Sequence, residues 1–254
     1  MLRTGRTISI DGTQIAFSEW GNPQGPPVVL IHGWLFSRVV FERQMQGELA
    51  ERCRVVAYDL RGHGESSAPE HLSAYSDGNV WTADLDAVLK AVGMARPILS
   101  GWSLGGRVAA HYVFVNAAES VAGLNFVAAR FLQKGVQSEP VIEEFIRNCS
   151  NQSSQLDRFL GAAMAVPPVA RRGAIAWHRE YGTFFDEMKL PVLVTHGDRD
   201  AITPPAAAET IARRLHGKLS IYSNCGHMPF WENPERFNRE LAEFAGVLVP
   251  RAGR

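Results

Sequence analysis

An excess of charge of either sign is missing from this chain. In 254 residues, 26 lysines and arginines offset 26 aspartates and glutamates, so no net field draws nucleic acid or an anionic membrane to it. Cysteine is scarce: Cys53, Cys149 and Cys225 are odd in number and lack metal-ligand spacing. That excludes a disulfide framework and a zinc site, and fits a reducing, cytoplasmic setting. No apolar window approaches a membrane span, and the opening MLRTGRTISIDGTQIAF lacks the apolar core of a signal peptide. Internal repeats and low-complexity tracts are absent too. The expectation is a protein whose partner is a small molecule rather than nucleic acid or membrane. Nothing in the sequence fixes an oligomeric state.

What is present is a rhythm of short apolar runs alternating with helical patterns. Residues 6–19 alternate around Asp11-Gly12, which predicts a hairpin. Val28-Val29-Leu30-Ile31 and Val55 to Tyr58 are continuous apolar runs of the kind buried on both faces of a parallel sheet, with a helix predicted between them from about Phe41 to Ala50. A helix opening at Asp77 or Asn79 and ending near Gly93, and strands at Ile98-Leu99, Val121 to Val127, Val192 to Thr195 and Leu219 to Tyr222, continue the pattern. Pro204-Pro205 suits a helix start, and a last helix runs from about Pro234 to Leu248. This alternation specifies α/β architecture built from βαβ units. It breaks between residues 131 and 188, leaving a core of residues 1–130 and 189–254. The break reads as a helical lid insertion over a substrate, residues 131–188, in preference to a loosely packed surface excursion.

The stretch RPILSGWSLGGRVAAHYV, residues 96–113, reads as strand, sharp turn and helix, with Ser103 at the turn in a Gly-x-Ser-x-Gly pattern. A serine hydroxyl becomes a nucleophile when an imidazole takes its proton, and a carboxylate fixes that imidazole's tautomer. His227, in a Gly-His turn after the last strand, is the candidate base among eight histidines. His32 and His196 precede glycines at strand ends, where each could simply hold a loop. The acid is Asp198 or Asp200, both in the loop after the 192–195 strand; Asp200 lies deeper in it. Asp59 reads as a loop organiser. An oxyanion hole needs two convergent N–H groups, for which Leu104 and Trp34 are the candidates. Candidate substrate-pocket residues are Leu35, Trp102, Phe131, Phe159, Met164 and Met228, each of which could equally be core packing.

His32-Gly33-Trp34, Asp59-Leu60-Arg61-Gly62-His63-Gly64, Gly101 to Gly106, Gly197-Asp198-Arg199-Asp200 and Gly226 to Pro234 together resemble the α/β-hydrolase superfamily, over nearly all of the chain outside 131–188. Within it the chain looks most like compact carboxylester hydrolases: the cofactor-free haloperoxidase or arylesterase group, and the methyl ester esterases acting on pimeloyl carrier-protein substrates. The resemblance implies an eight-stranded, mostly parallel sheet flanked by helices, a cap after the sixth strand, neither cofactor nor metal, and Asp200 as the acid. It implies a serine hydrolase cleaving carboxylic esters of small to medium acyl compounds through an acyl-enzyme on Ser103, with perhydrolysis open to the same residues. Dehalogenases and epoxide hydrolases of this fold carry aspartate where this chain has Ser103, which argues against both activities. A ligand receptor on the same fold is the reading of a different class. Arg147, Arg158, Arg171, Arg172 and Arg179 are interspersed with Glu143, Glu144, Asp157 and Glu180, so charge does not decide for a carrier-protein substrate.

Overall fold

A computed structural model describes residues 2–132, 140–152 and 155–249. Its centre is an eight-stranded sheet in the order β1-β2-β4-β3-β5-β6-β7-β8. The strands are β1 (Arg3–Ile8), β2 (Gln14–Gly21), β3 (Pro27–Ile31), β4 (Arg54–Tyr58), β5 (Ile98–Trp102), β6 (Gly123–Val127), β7 (Val192–Gly197) and β8 (Lys218–Tyr222). β2 pairs antiparallel with β1 and β4; every other pairing is parallel. The apolar runs are central because helices cover both faces: β3 residues Val28 to Ile31 are fully buried, as is all of β5.

The register decides where chemistry can happen. Ile31 pairs with Gly101, Trp102 with Val127, and Val127 with Thr195. The residues that follow β3, β5, β6 and β7 therefore emerge at one rim, where open α/β sheets place ligands.

The helices are α1 (Gly47–Arg52), α2 (Ser73–Ser76), α3 (Gly78–Val92), α4 (Leu104–Asn116), α5 (Ile142–Asn148), α6 (Asp157–Ala165), α7 (Pro168–Ala176), α8 (Phe184–Glu187), α9 (Pro205–Arg214), α10 (Pro229–Glu232) and α11 (Pro234–Leu248). Their ends follow local chemistry. The Asp77 carboxylate accepts the Asn79 N–H at 2.9 Å to start α3, and Gly93 closes it in the left-handed region, φ 60°. The helix expected over 41–50 is instead a 3₁₀ stretch, Arg38–Gln44, followed by α1. The break falls at Met45 and Gln46, and Gly47, at the first position of α1, has a φ of 73°, so the backbone turns there instead of running on as one helix.

Between β6 and β7 the described residues form α5 to α8 and contain no strand. Aromatic contacts fasten them to the core: Trp177 stacks on Trp81 of α3 at 6.0 Å, and Phe159 meets Phe36 of the loop after β3 at 5.5 Å and Trp231 of α10 at 5.3 Å. Beneath the β1–β2 turn, the Arg61 side chain is fully buried; it forks onto Asp84 at 2.6 and 2.7 Å and reaches Asp11 at 2.8 Å. Asp59 organises the neighbouring loop by accepting the N–H groups of Arg38 at 2.7 Å and Glu65 at 2.8 Å.

Candidate active site

Ser103 sits between β5 and α4 with φ 52° and ψ −112°, a conformation that a non-glycine residue holds only when its surroundings impose it. Steric demand explains the glycines on either side. A Cβ on Gly101 would lie 2.4 Å from the Gly105 carbonyl oxygen, and one on Gly105 would lie 2.2 Å from that of Ile31. The turn is pinned by the Ser103 N–H donating to Val127 O at 2.9 Å and by the Gly106 N–H donating to Ser103 O at 3.0 Å. Leu104 opens α4, so its N–H is among those with no acceptor inside the helix.

The strip carrying Trp34 passes directly beside this turn: a Cβ on Gly33 would stand 3.3 Å from Ser103 Cβ and 3.1 Å from the Trp102 ring. His32 fixes that strip. Its Nε2 accepts the Leu60 N–H at 2.9 Å, so its proton is on Nδ1, which donates to Gly33 O at 2.8 Å. In a trans peptide the N–H opposes the carbonyl, so holding the Gly33 carbonyl also sets the direction of the Trp34 N–H. The His32 ring is buried. Burial, helped by the charge of Arg38, pushes its pKa down to about 4 against the Gly33 hydrogen bond. His63 packs 5.4 Å from it, donates from Nδ1 to Arg61 O at 2.9 Å, and is lowered to about 3, first by burial and then by His32.

At the far side of the rim the two candidate acids separate. Asp198 is exposed, whereas Asp200 is buried with its Oδ2 2.7 Å from His227 Nδ1. Asp200 Oδ1 accepts the N–H groups of Ile202 and Thr203, both at 2.8 Å. Burial raises the Asp200 pKa, but the His227 charge, the side-chain hydrogen bonds of His196 and His227 and the Thr203 N–H outweigh it, holding the carboxyl well below the usual range. His196 is thus more than a loop anchor: its Nε2 donates to Thr203 O at 2.9 Å and lies 3.1 Å from Asp200 Oδ2. The signal in the sequence is its spacing four residues before Asp200 at a strand end.

The His227 ring is buried. Its carbonyl accepts from Trp102 Nε1 at 2.7 Å, and its Nε2 has no hydrogen-bond partner. Ser103 Oγ is therefore not hydrogen-bonded to it. The structure joins Asp200 to His227, brings Trp34 and Leu104 beside Ser103, and leaves the serine–imidazole contact unmade.

Ser103 opens into a cleft of about 90 Å³ lined by Trp34, Leu104, Arg107, Arg130, Phe145, Ala174, Ile175, Ile202 and Thr203. The residues expected from sequence to form the pocket lie outside this lining. Leu35, Trp102, Phe131, Phe159 and Met228 are buried in the core and border no part of this cleft, while Met164 is 69 % exposed on the outer side of α6. Trp102, for example, packs edge-on against Phe36 at 4.8 Å and Phe230 at 5.1 Å. A larger groove of about 590 Å³ lies elsewhere, between α1 and α11, lined chiefly by polar and charged residues such as Arg43, Glu48, Glu235 and Arg239. The reactive turn, rather than cavity size, identifies the site. Among the described residues no group of three or more His, Cys, Asp or Glu is disposed to hold a metal ion, and no helix is long and apolar enough to cross a membrane.

The chain is 29 % identical to a non-heme chloroperoxidase of Streptomyces lividans, covering 94 % of this chain and 99 % of that protein. It is 30 % identical to a pimeloyl-[acyl-carrier protein] methyl ester esterase of Chromobacterium violaceum, covering 87 % and 94 % respectively. A putative aryl esterase from Burkholderia cenocepacia has a similar structure, with a TM-score of 0.88 at 29 % identity over 98 % of this chain and all of that one. The family model described as "Alpha/beta hydrolase family" matches residues 28–240, with the Ser103 turn, Asp200 and His227 inside the match, and the chain belongs to that family.

Proposed function

We propose that the protein is a serine hydrolase of carboxylic esters with small acyl groups, in which Ser103, His227 and Asp200 act as nucleophile, base and acid. The observation that carries this reading is the state of His227: buried, held at Nδ1 by Asp200, and keeping Nε2 without a partner.

The chemistry follows from the parts. His227 Nε2 takes the Ser103 proton as Oγ bonds to the ester carbonyl carbon, and the Trp34 and Leu104 N–H groups receive the oxyanion. The carbon–oxygen bond to the alcohol breaks as imidazolium returns the proton to it, leaving an acyl-serine. Water, deprotonated by the same nitrogen, then releases the acid and restores Ser103. Asp200 keeps the Nδ1 proton in place and steadies the imidazolium. The segment α5 to α8 acts as a lid through Phe145, Ala174 and Ile175, which close the cleft over Ser103.

A series of p-nitrophenyl esters from acetate to decanoate tests the reading. Acetate and butyrate are expected to turn over, with kcat/KM falling at least about tenfold by decanoate because the cleft admits few methylenes. Absence of turnover across the series would favour a ligand receptor on this fold.

A further inference from the structure

Two arginines face the cleft beside Ser103 with no anionic partner among the described residues. Arg107 sits one helical turn after Ser103 on α4. It gives only Nη1 to protein acceptors, Trp177 O at 2.6 Å and Ala174 O at 3.4 Å, leaving Nε and Nη2 without protein hydrogen bonds. Arg130, three residues beyond β6, makes no hydrogen bond or ion pair among the described residues, and its Nε is buried with no partner there. Both line the same cleft as the nucleophile. Tyr181, whose charge state bears on Arg107, also keeps a buried hydroxyl without a partner. Among the described residues no carboxylate offsets either guanidinium, and burial, opposed by Tyr181 and reinforced by the charge of Arg130, lowers the Arg107 pKa.

Placing two partly buried guanidinium groups side by side in one cleft, with open donors and no counter-charge among the described residues, is unfavourable unless an anion arrives from outside. Surface arginines of this chain resolve the same problem internally, as Arg158 does with Glu42 at 2.8 and 2.9 Å. Guanidinium forks match a planar carboxylate in two-point contact.

We propose that the cleft accepts esters whose acyl chain ends in a carboxylate, received by Arg107 and Arg130 while Ser103 attacks the ester carbonyl at the other end. This deepens the serine-hydrolase reading and rests on it. Overall, a monoester of a dicarboxylic acid and water give the alcohol, the dicarboxylate and a proton. The cleft of about 90 Å³ restricts the chain between the two carbonyl carbons to a few methylenes. The carboxylate also orients the substrate, since a chain anchored at one end presents its carbonyl at a fixed distance.

Two measurements test this. First, monomethyl esters of succinate, glutarate and adipate are compared with the matching neutral monoamide methyl esters in the wild-type protein by pH-stat. The best acid is expected to exceed its amide in kcat/KM by about 10 to 100-fold, the range of a charged hydrogen-bonded pair, with the ratio falling close to one in Arg130→Gln and in Arg107→Gln. Because Arg107 also ties down two lid carbonyls, Arg130→Gln, which removes no hydrogen bond of the fold, is the decisive variant. Second, Ser103→Ala protein is titrated calorimetrically with the free dicarboxylates. Binding that Arg130→Gln abolishes is expected. Ester turnover with equal rates for acid and amide and no dicarboxylate binding would overturn the proposal while leaving the hydrolase reading intact. Dicarboxylate binding lost in Arg130→Gln, with no ester hydrolysed, would uphold the anion site and overturn the hydrolase reading.

Discussion

Asp200→Asn lowers kcat/KM for ester hydrolysis by about 10⁴-fold at neutral pH, with little change in fold. The reason lies in how the carboxylate is used. Oδ1 accepts two backbone N–H groups, from Ile202 and Thr203 at 2.8 Å, and Oδ2 receives His227 Nδ1 at 2.7 Å and His196 Nε2 at 3.1 Å. An asparagine must keep its oxygen toward the two backbone donors, which cannot turn away. Its NH₂ then faces both imidazoles. His227 answers by taking the other tautomer, with the proton on Nε2, and in that form it cannot accept the Ser103 proton. Steady-state kinetics measure the loss, and nitrogen-15 chemical shifts of His227 report the tautomer. A loss below tenfold with Nδ1 still protonated would contradict the assigned role of Asp200.

Acid destabilises the protein well above the range in which carboxylates titrate, because of His32 and His63. Both are buried and neutral, with pKa values lowered to about 4 and about 3 from an ordinary 6.5. For a base lowered in the fold, the unfolded chain binds protons that the native state refuses as pH falls below 6.5. Stability is therefore full above pH 6.5 and declines until the folded values near 4 and 3 are reached. Each ring contributes a loss on the order of 3 kcal/mol by pH 4. Urea midpoints between pH 7 and 4.5 measure it, and His63→Asn is expected to flatten the slope by about half whatever it does to stability at pH 7. Equal pH slopes in variant and wild type would remove His63 from this explanation. The decline also reaches function, since the His32 ring that resists protonation is the one that holds the Gly33 carbonyl.

Much of this geometry is legible in the residues because it is enforced by steric fit. Gly101 and Gly105 stand where a Cβ would meet backbone oxygen at 2.4 and 2.2 Å, so the turn around Ser103 could hardly be built otherwise. The runs in β3 and β5 announce central strands because both of their faces are covered. The cleft walls were not legible for the opposite reason. Apolarity marks Trp102 and Phe159 as buried but does not say whether they meet a ligand or each other's neighbours, and the structure packs them into the core. Arg107 reads as one more charged helix residue until α7 brings Ala174 and Ile175 to the same cleft. Nothing near Arg61 in the sequence marks its partner, since Asp84 lies 23 residues away, yet the pair is fully buried.

The most direct test asks whether Ser103 is nucleophilic because of His227. Wild-type protein is treated with a diethyl organophosphate and examined by intact-mass spectrometry and peptide mapping. A single diethylphosphoryl group on Ser103 is expected, absent from Ser103→Ala and formed far more slowly in His227→Ala. An unlabelled wild-type protein, a group on some other residue, or labelling of Ser103 at the same rate without His227 would contradict the assignment.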